Sequence, residues 1–285
     1  MERKPIPSRD LVVVMAGDRS LHGRIAEKRN FDLWVVYYGD SDAVAAEYEA
    51  KADRLWRRKG LKIELVRRVL LEEVYFGEGC DFSQYRYVFL PDDDIMFENG
   101  AEDLHALFAT AEQIKADAFQ PAVKNDLVSF QATRQMEGVA CHSVNWVENM
   151  MPGYRSDLFR TAFLGCIHAL EYQKSGWGVE LMVAKLAEAA LGRGFRAFVI
   201  DRHPAIHTRP VGQNGIVHEV GRDEASLLPQ LSHNLLRTGA GFRTIEAAVA
   251  HTANLKPAPR NTLAIELYMQ KARLARKLWV NLMER

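Results

Sequence analysis

Short apolar runs alternate with amphipathic stretches along most of the chain. Residues 11–16 (LVVVMA) and 33–38 (LWVVYY) are β-branched and aromatic, have strand length, and end at Gly17-Asp18 and Gly39-Asp40. Each predicts a buried strand. Ser41 or Asp42 stands where it can cap a helix over 43–58 with Gly60 as its stop, and 61–66 predict a third strand. A fourth apolar run, 87–90, stops at Pro91. Apolar residues at 101, 104, 107, 108, 111 and 114 predict a helix over 101–115, and those at 182, 183, 186, 187, 190 and 191 a helix over 179–191 closed by Gly192. Between these, Gln120-Pro121 reads as a break, 133–149 as strand or extended chain, Pro152-Gly153-Tyr154 as a turn, and Ser156-Asp157 as the start of a helix running to about 170. Residues 195–200 predict a further strand leading to His203 and His207. Strands alternating with helices predict an α/β domain whose sheet is mostly parallel and covered on both faces.

Beyond Pro210 the chain is glycine-rich and irregular to about 223, and from 224 it reads as helical. A stripe at 264–282 is apolar except for Lys271 and predicts an amphipathic helix. The expected organisation is an α/β domain over 1–223 and a helical extension over 224–285, the latter an accessory or homodimer element. Its basic cluster, Lys271, Arg273, Arg276 and Lys277, reads first as a solvated face and secondly as a peripheral contact with an anionic membrane surface.

Composition narrows the partners. Lys+Arg and Asp+Glu are equal at 37 each, so net charge gives no support for nucleic-acid binding. No apolar run is long enough for a transmembrane helix, and the basic N-terminus lacks the apolar segment of a signal peptide. Cys80, Cys141 and Cys166 are too scattered for a disulfide framework or a zinc site, so a reducing cytoplasm is the expected location.

The chemistry concentrates where the fourth run ends, in FLPDDDIMF. Asp92, Asp93 and Asp94 follow a buried strand, at the sheet edge where open α/β folds hold ligands. Three adjacent anions persist cheaply only in solvent or around a shared cation. Asp92 and Asp94 project to one side if the chain stays extended, which suits a hard ion such as Mg²⁺ or Mn²⁺. An acidic turn capping a helix is the plainer alternative. Gly17, Asp18 and Arg19, after the first strand, offer close backbone approach and a phosphate or base partner, though the loop is neither GxGxxG nor a P-loop. Glu148 stands among Trp146, Met150 and Met151 as a substrate-facing acid or a solvated edge residue. Trp177, Gly178 and Glu180 open a helix: Trp177 offers a face for a sugar and Glu180 a general base, while an acid there is also favoured by the helix dipole alone. His207 is placed to complete a metal site begun by Asp92 or Asp94, and Arg209 to neutralise phosphate.

Together, the DXD-type Asp92-Asp93-Asp94, the acid in SGWGVE and the late histidine resemble nucleotide-sugar glycosyltransferases of the GT-A fold. LWVVYYGD, FLPDDDI, ENMMP, SGWGVE and HPAIHTRPVG resemble, in that order, the family catalogued as domain of unknown function 707, over roughly residues 10–215. Glu180 stands where that pattern leads one to expect Asp. The resemblance implies a GT-A-like (Rossmann-like) domain and a metal-dependent hexosyl-type transfer. The donor would be a nucleoside diphosphate sugar, UDP-linked by first choice, and the acceptor a glycan or small hydroxyl compound, as in polysaccharide biosynthesis. It implies Mn²⁺ or Mg²⁺ on Asp92, Asp94 and His207, and Glu180, with Glu148 second, as base. Gly17, Asp18, Arg19, Asp40, Asp93 and Arg209 would hold the nucleotide and diphosphate; Trp177, Gly178 and Trp146 would contact substrate. Two other classes share the motif: a metal-dependent phosphoryl or phosphodiester enzyme, and a non-catalytic sugar- or nucleotide-binding module.

Overall fold

A computed structural model of the chain describes residues 9–169, 176, 178–209 and 238–253. The leading strands form as expected: β1 (Arg9–Ala16) and β2 (Asp32–Tyr37) lie parallel, with a short α1 (Gly23–Ala26) between them. Both read as continuous apolar runs because the sheet is covered twice. Leu11, Val13 and Met15 face one core, and Val12, Val14 and Ala16 the other.

The next segment departs from expectation. The helix over 43–58 ends early, as α2 (Asp42–Glu49), with the Ser41 hydroxyl accepting the Val44 N–H as its cap. Residues expected in its second half form β3 (Arg54–Arg57) instead, parallel to β2. There Trp56 meets the Trp34 ring edge-on and Arg54 lies over both indoles, contacts a surface helix could not make. The strand expected at 61–66 is a helix, α3 (Lys62–Leu65), which continues as π-helical turns over Val66–Gly77. Glu64 accepts the Leu61 N–H at 2.9 Å and closes the first turn. Ile63, Val66, Val69, Leu70 and Val74 then face the core.

From here the pattern holds through β4 (Tyr85–Phe89), the two-residue β5 (Ile95–Met96) and α4 (Ala101–Gln113). Gln120-Pro121 is not a break: β6 (Ala118–Val123) runs through it. Its pairing with the neighbouring strand changes register just after Pro121, where the missing N–H is tolerated. After β7 (Cys141–Val144), the turn expected at Pro152-Gly153-Tyr154 is instead β8 (Gly153–Arg155), antiparallel to both β4 and β6. The helix begun at Ser156 is built of α5 (Ser156–Leu158), π-helical Phe159–Leu164 and α6 (Gly165–Ala169). α7 (Val179–Leu191) has the expected bounds and ends on Gly192 at φ +62°. β9 (Ala197–His207) runs further than its apolar core. Within the stretch expected as a helical extension, β10 (Thr238–Phe242) pairs with β7 in the main sheet, and α8 (Ile245–Ala253) follows. The leucine pattern at 227–236 and the amphipathic stripe at 264–282 lie outside the described residues.

The strands form one sheet in the order β10-β7-β9-β6-β8-β4-β1-β2-β3. Its longer registers are the parallel ones, β1 with β2 and β6 with β9, while β8 inserts antiparallel between β4 and β6. Helices cover both faces: α1, α2, α4 and α8 on one, and α3 with the helical segments of 156–169 and α7 on the other. This is a mixed α/β fold.

Gly153 shows how tightly the inserted strand is held. A Cβ there would stand 2.5 Å from the Phe119 ring, which is fully buried and stacked on Phe89. Gly153→Ala is expected to cost about 1–3 kcal/mol, the range for overpacking a filled core, read by chemical denaturation.

Candidate functional site

β1, β2, β4, β6 and β9 all point their carboxyl ends to one edge of the sheet. That edge gathers Gly17 and Asp18 from β1, Tyr38 from β2, the three aspartates from β4 and His207 from β9. β5 tightens the group. It pairs antiparallel with the end of β9, Ile95 opposite His207, so Asp94 lies beside His207 and its carbonyl accepts from the Thr208 N–H and hydroxyl at 3.1 and 2.8 Å.

The consecutive carboxylates are kept apart chemically because each has its own partners. Asp92 binds the Lys62 ammonium at 2.6 Å. Asp93 is buried; its Oδ2 accepts from the Gly17 N–H at 2.8 Å and the Tyr38 hydroxyl at 2.9 Å, and its Oδ1 lies 3.6 Å from the Arg209 guanidinium. Asp94 Oδ2 faces His207 Nε2 at 3.4 Å. Each aspartate thus has its own protein partner to offset the expected repulsion. Loss of water raises the Asp92 carboxyl above its ordinary range, and Asp94 and Asp93 add to the rise, while Lys62 opposes it.

The Asp94–His207 pair fits a divalent ion. His207 Nδ1 lies 2.8 Å from the Leu127 carbonyl, an acceptor only, so Nδ1 carries the proton. In the neutral ring the Nε2 lone pair then faces a carboxylate oxygen, and two acceptors so opposed need a cation or a proton between them. Without a metal the proton is favoured: burial lowers the imidazole pKa, but Asp94 and the Leu127 carbonyl outweigh it and the net shift is upward. Among the described residues no three His, Cys, Asp or Glu side chains converge as a ligand set. Of the expected triad, Asp94 and His207 come together, and Asp92 pairs with Lys62.

Glu148 and Glu180 lie deeper, 4% and 2% exposed. Glu148 follows β7 in a segment docked on β4: its N–H donates to Gln120 Oε1 at 2.7 Å, and the Met150 carbonyl accepts the Asp92 N–H at 2.8 Å. Burial pushes the Glu148 carboxyl up to about 7; Ser129 and Thr133 hydrogen bonds and the His207 charge oppose this, and the Asp92 charge reinforces it. Glu180, in the first turn of α7, is pushed up to about 8 by burial and by Glu148, against nearby backbone N–H groups. Neither is the solvated edge acid or plain dipole-capping acid that the sequence also allowed. Glu180 Oε2 has no hydrogen-bond partner among the described residues, and Gln120 Nε2 and Trp146 Nε1 are likewise buried and unpartnered. Asn149 links the two blocks by donating from Nδ2 to the Gly176 carbonyl. Gly178 holds the left-handed turn before α7, at φ +83°.

The other expected site residues are placed as follows. Trp146 is buried and packs against Phe130 and Ala184. Asp18 is exposed and tied to its neighbours: it accepts from the Tyr37 hydroxyl and the Ser41 N–H, which lowers its carboxyl pKa, the Tyr37 bond foremost. Asp40 is exposed and paired with Lys59 at 2.6 Å. Arg19 is exposed, and its carbonyl accepts from Arg209 at 2.8 Å. Trp177 lies outside the described residues. Sequence reasoning missed Lys62, Gln120, Tyr38 and Thr208. The tyrosine pair before Gly39 was visible as a signal; Lys62 was hidden by its assignment to a strand.

No family model and no curated protein matches the chain. Among solved structures, S. aureus TarS 1-349 is 14% identical over 69% of this chain and 59% of that one, with a TM-score of 0.43. A protein described as mannose-1-phosphate geranyltransferase from Thermus thermophilus is 14% identical over 69% of this chain and 75% of its own, with a TM-score of 0.36. One from Desulfovibrio desulfuricans, assigned as a nucleotide-diphospho-sugar transferase, is 12% identical over 78% and 97%, with a TM-score of 0.38. Likenesses at these scores carry no weight for activity. No helix among the described residues is long and apolar enough to cross a membrane.

Proposed function

We propose that the chain is a metal-dependent glycosyltransferase that moves a sugar from a nucleoside diphosphate sugar, UDP-linked by first choice, to a hydroxyl acceptor. The observation that carries this reading is the carboxyl-edge cluster, in which Asp94 and His207 face each other with a basic side chain, Arg209, beside Asp93. Mn²⁺ or Mg²⁺ bound by Asp94 and His207, its remaining positions filled by diphosphate oxygens, would offset the charge of the leaving group.

The chain's own residues supply the rest. Arg209 presents a guanidinium to phosphate oxygens while Asp93 holds it near the Gly17 loop. Gly17 keeps that loop close to the edge, since a Cβ would stand 2.9 Å from the Tyr38 ring. Glu148 takes the acceptor's hydroxyl proton. It is preferred to Glu180 because it adjoins the metal pair and the aspartates electrostatically, and a carboxyl poised at about 7 suits a base working near neutrality. The Glu148 charge in turn adds to the rise that burial imposes on the Glu180 carboxyl.

The testing experiment is a thermal-shift panel of nucleoside diphosphates and their sugars, with and without Mn²⁺. Stabilisation by a diphosphate form that requires Mn²⁺ is expected. Asp94→Asn should weaken that metal-requiring response at least as much as the about 10–100-fold typical of losing an outer-shell partner of a metal ligand. An unaltered response would remove Asp94 from the metal site, and metal-independent binding of free sugars would point to a binding module.

A further inference from the structure

Lys62 occupies an unusual position. It is the first residue of α3, where the positive end of the helix disfavours a cation, so its placement needs another reason. Its Nζ reaches four oxygens: the carbonyls of Leu90, Asn149 and Met150 at 2.8, 2.6 and 3.1 Å, and Asp92 Oδ1 at 2.6 Å. An ammonium has three protons to donate, so this cage leaves it no unused donor. The oxygens come from two places, the end of β4 and the Asn149-Met150 segment that carries Glu148. A cation ringed by carbonyls and one carboxylate resembles the environment a hard metal ion would choose.

We infer that Lys62 is the resident cation of the aspartate cluster: it takes Asp92 as its counter-ion, ties the Glu148 segment to β4, and leaves Asp94 with His207 as the place for a single divalent ion. This single-ion arrangement also separates the site from two-metal phosphoryl chemistry, which needs carboxylates free to hold both ions. The single-ion part rests on the proposed metal dependence; the pairing of Lys62 with Asp92 does not. Lys62 is a positioning residue, since its donors are spent on the protein.

The test compares wild type, Lys62→Met, Asp92→Asn and the double variant by melting temperature, without metal and with Mn²⁺ alone. Without metal, Lys62→Met should melt lower by about 4 °C or more. Asp92→Asn in that background should recover part of the loss, because the uncompensated anion is gone while three carbonyls still lack their donor. A Lys62→Met protein that folds only when paired with Asp92→Asn supports the inference equally. An equal loss with and without Asp92→Asn overturns it. With Mn²⁺, the stabilisation of Lys62→Met should exceed that of wild type, and the excess should vanish in the double variant. Asp92→Asn alone should keep the wild-type Mn²⁺ response; its loss would make Asp92 a metal ligand and overturn the assignment. A protein that shows the Lys62–Asp92 coupling but no response to nucleoside diphosphate sugars with Mn²⁺ would lose the glycosyltransferase reading and keep this one.

Discussion

Glu148→Gln is expected to lower sugar transfer by about 10²–10⁴-fold, the usual contribution of a general base, while leaving Mn²⁺-dependent binding of the donor nearly unchanged. Initial rates and a thermal shift on the same preparation make the comparison. Loss of donor binding together with rate would mean that Glu148 shapes the donor pocket instead. The wild-type rate should rise with pH through about 7, where this carboxyl ionises. Stability should move the other way. The folded pKa is raised above the ordinary 4.5, so between that value and about 7 the unfolded chain has released the proton and the folded one retains it. Folding therefore weakens as pH rises across this window and levels off above it. Glu180, pushed to about 8, extends the same trend upward. Glu148→Gln should flatten part of this slope, so the variant gains relative stability at alkaline pH while losing activity.

The largest stability effect is expected at the opposite edge of the sheet. Asp117, just before β6, is fully buried and accepts from Arg155 at 2.6 Å, from Arg193 at 2.6 and 2.7 Å, and from Arg196 at 3.1 Å. Burial alone would raise its carboxyl pKa, but the Arg193 and Arg196 bonds and the Arg155 charge reverse this and hold it low. Asp117→Ala leaves three guanidiniums, each largely buried, without their common anion. A loss of about 3–5 kcal/mol follows, the cost of breaking a buried ion pair from one side. Urea denaturation measures it. Because this carboxyl sits below its unfolded value, its contribution is present above about pH 4 and disappears as acid protonates it. The wild type should lose this part of its stability on acidification, and Asp117→Ala should not.

The apolar pattern of the chain was enough for the α/β class, the strands at β1, β2 and β4, and helices α4 and α7. Those segments carry a period that only one structure satisfies: continuous β-branched runs for a sheet buried on both faces, and 3.6-residue spacing for helices laid on one. The same pattern placed Asp92, Asp93 and Asp94 at a strand end, because the apolar run stops there, while His207 ends a strand that runs past its apolar core. Packing settled the segments whose pattern was ambiguous. Residues 54–57 and 61–66 are short and apolar enough for either state. Pairing with β2 made the first a strand, and a closed first turn with a long buried face made the second a helix. Gly153 became strand because β4 and β6 left a slot that only a glycine fits against Phe119.

The partners of the three aspartates could not be read from the chain. Spacing shows which side chains share a face, and nothing in it shows that a lysine 30 positions before Asp92 would arrive from a helix start, or that Asn125 and Leu127 would fix the histidine. The burial that raises Glu148 and Glu180 is equally a property of the assembled core, since a carboxyl's environment is set by everything packed around it rather than by its neighbours in sequence.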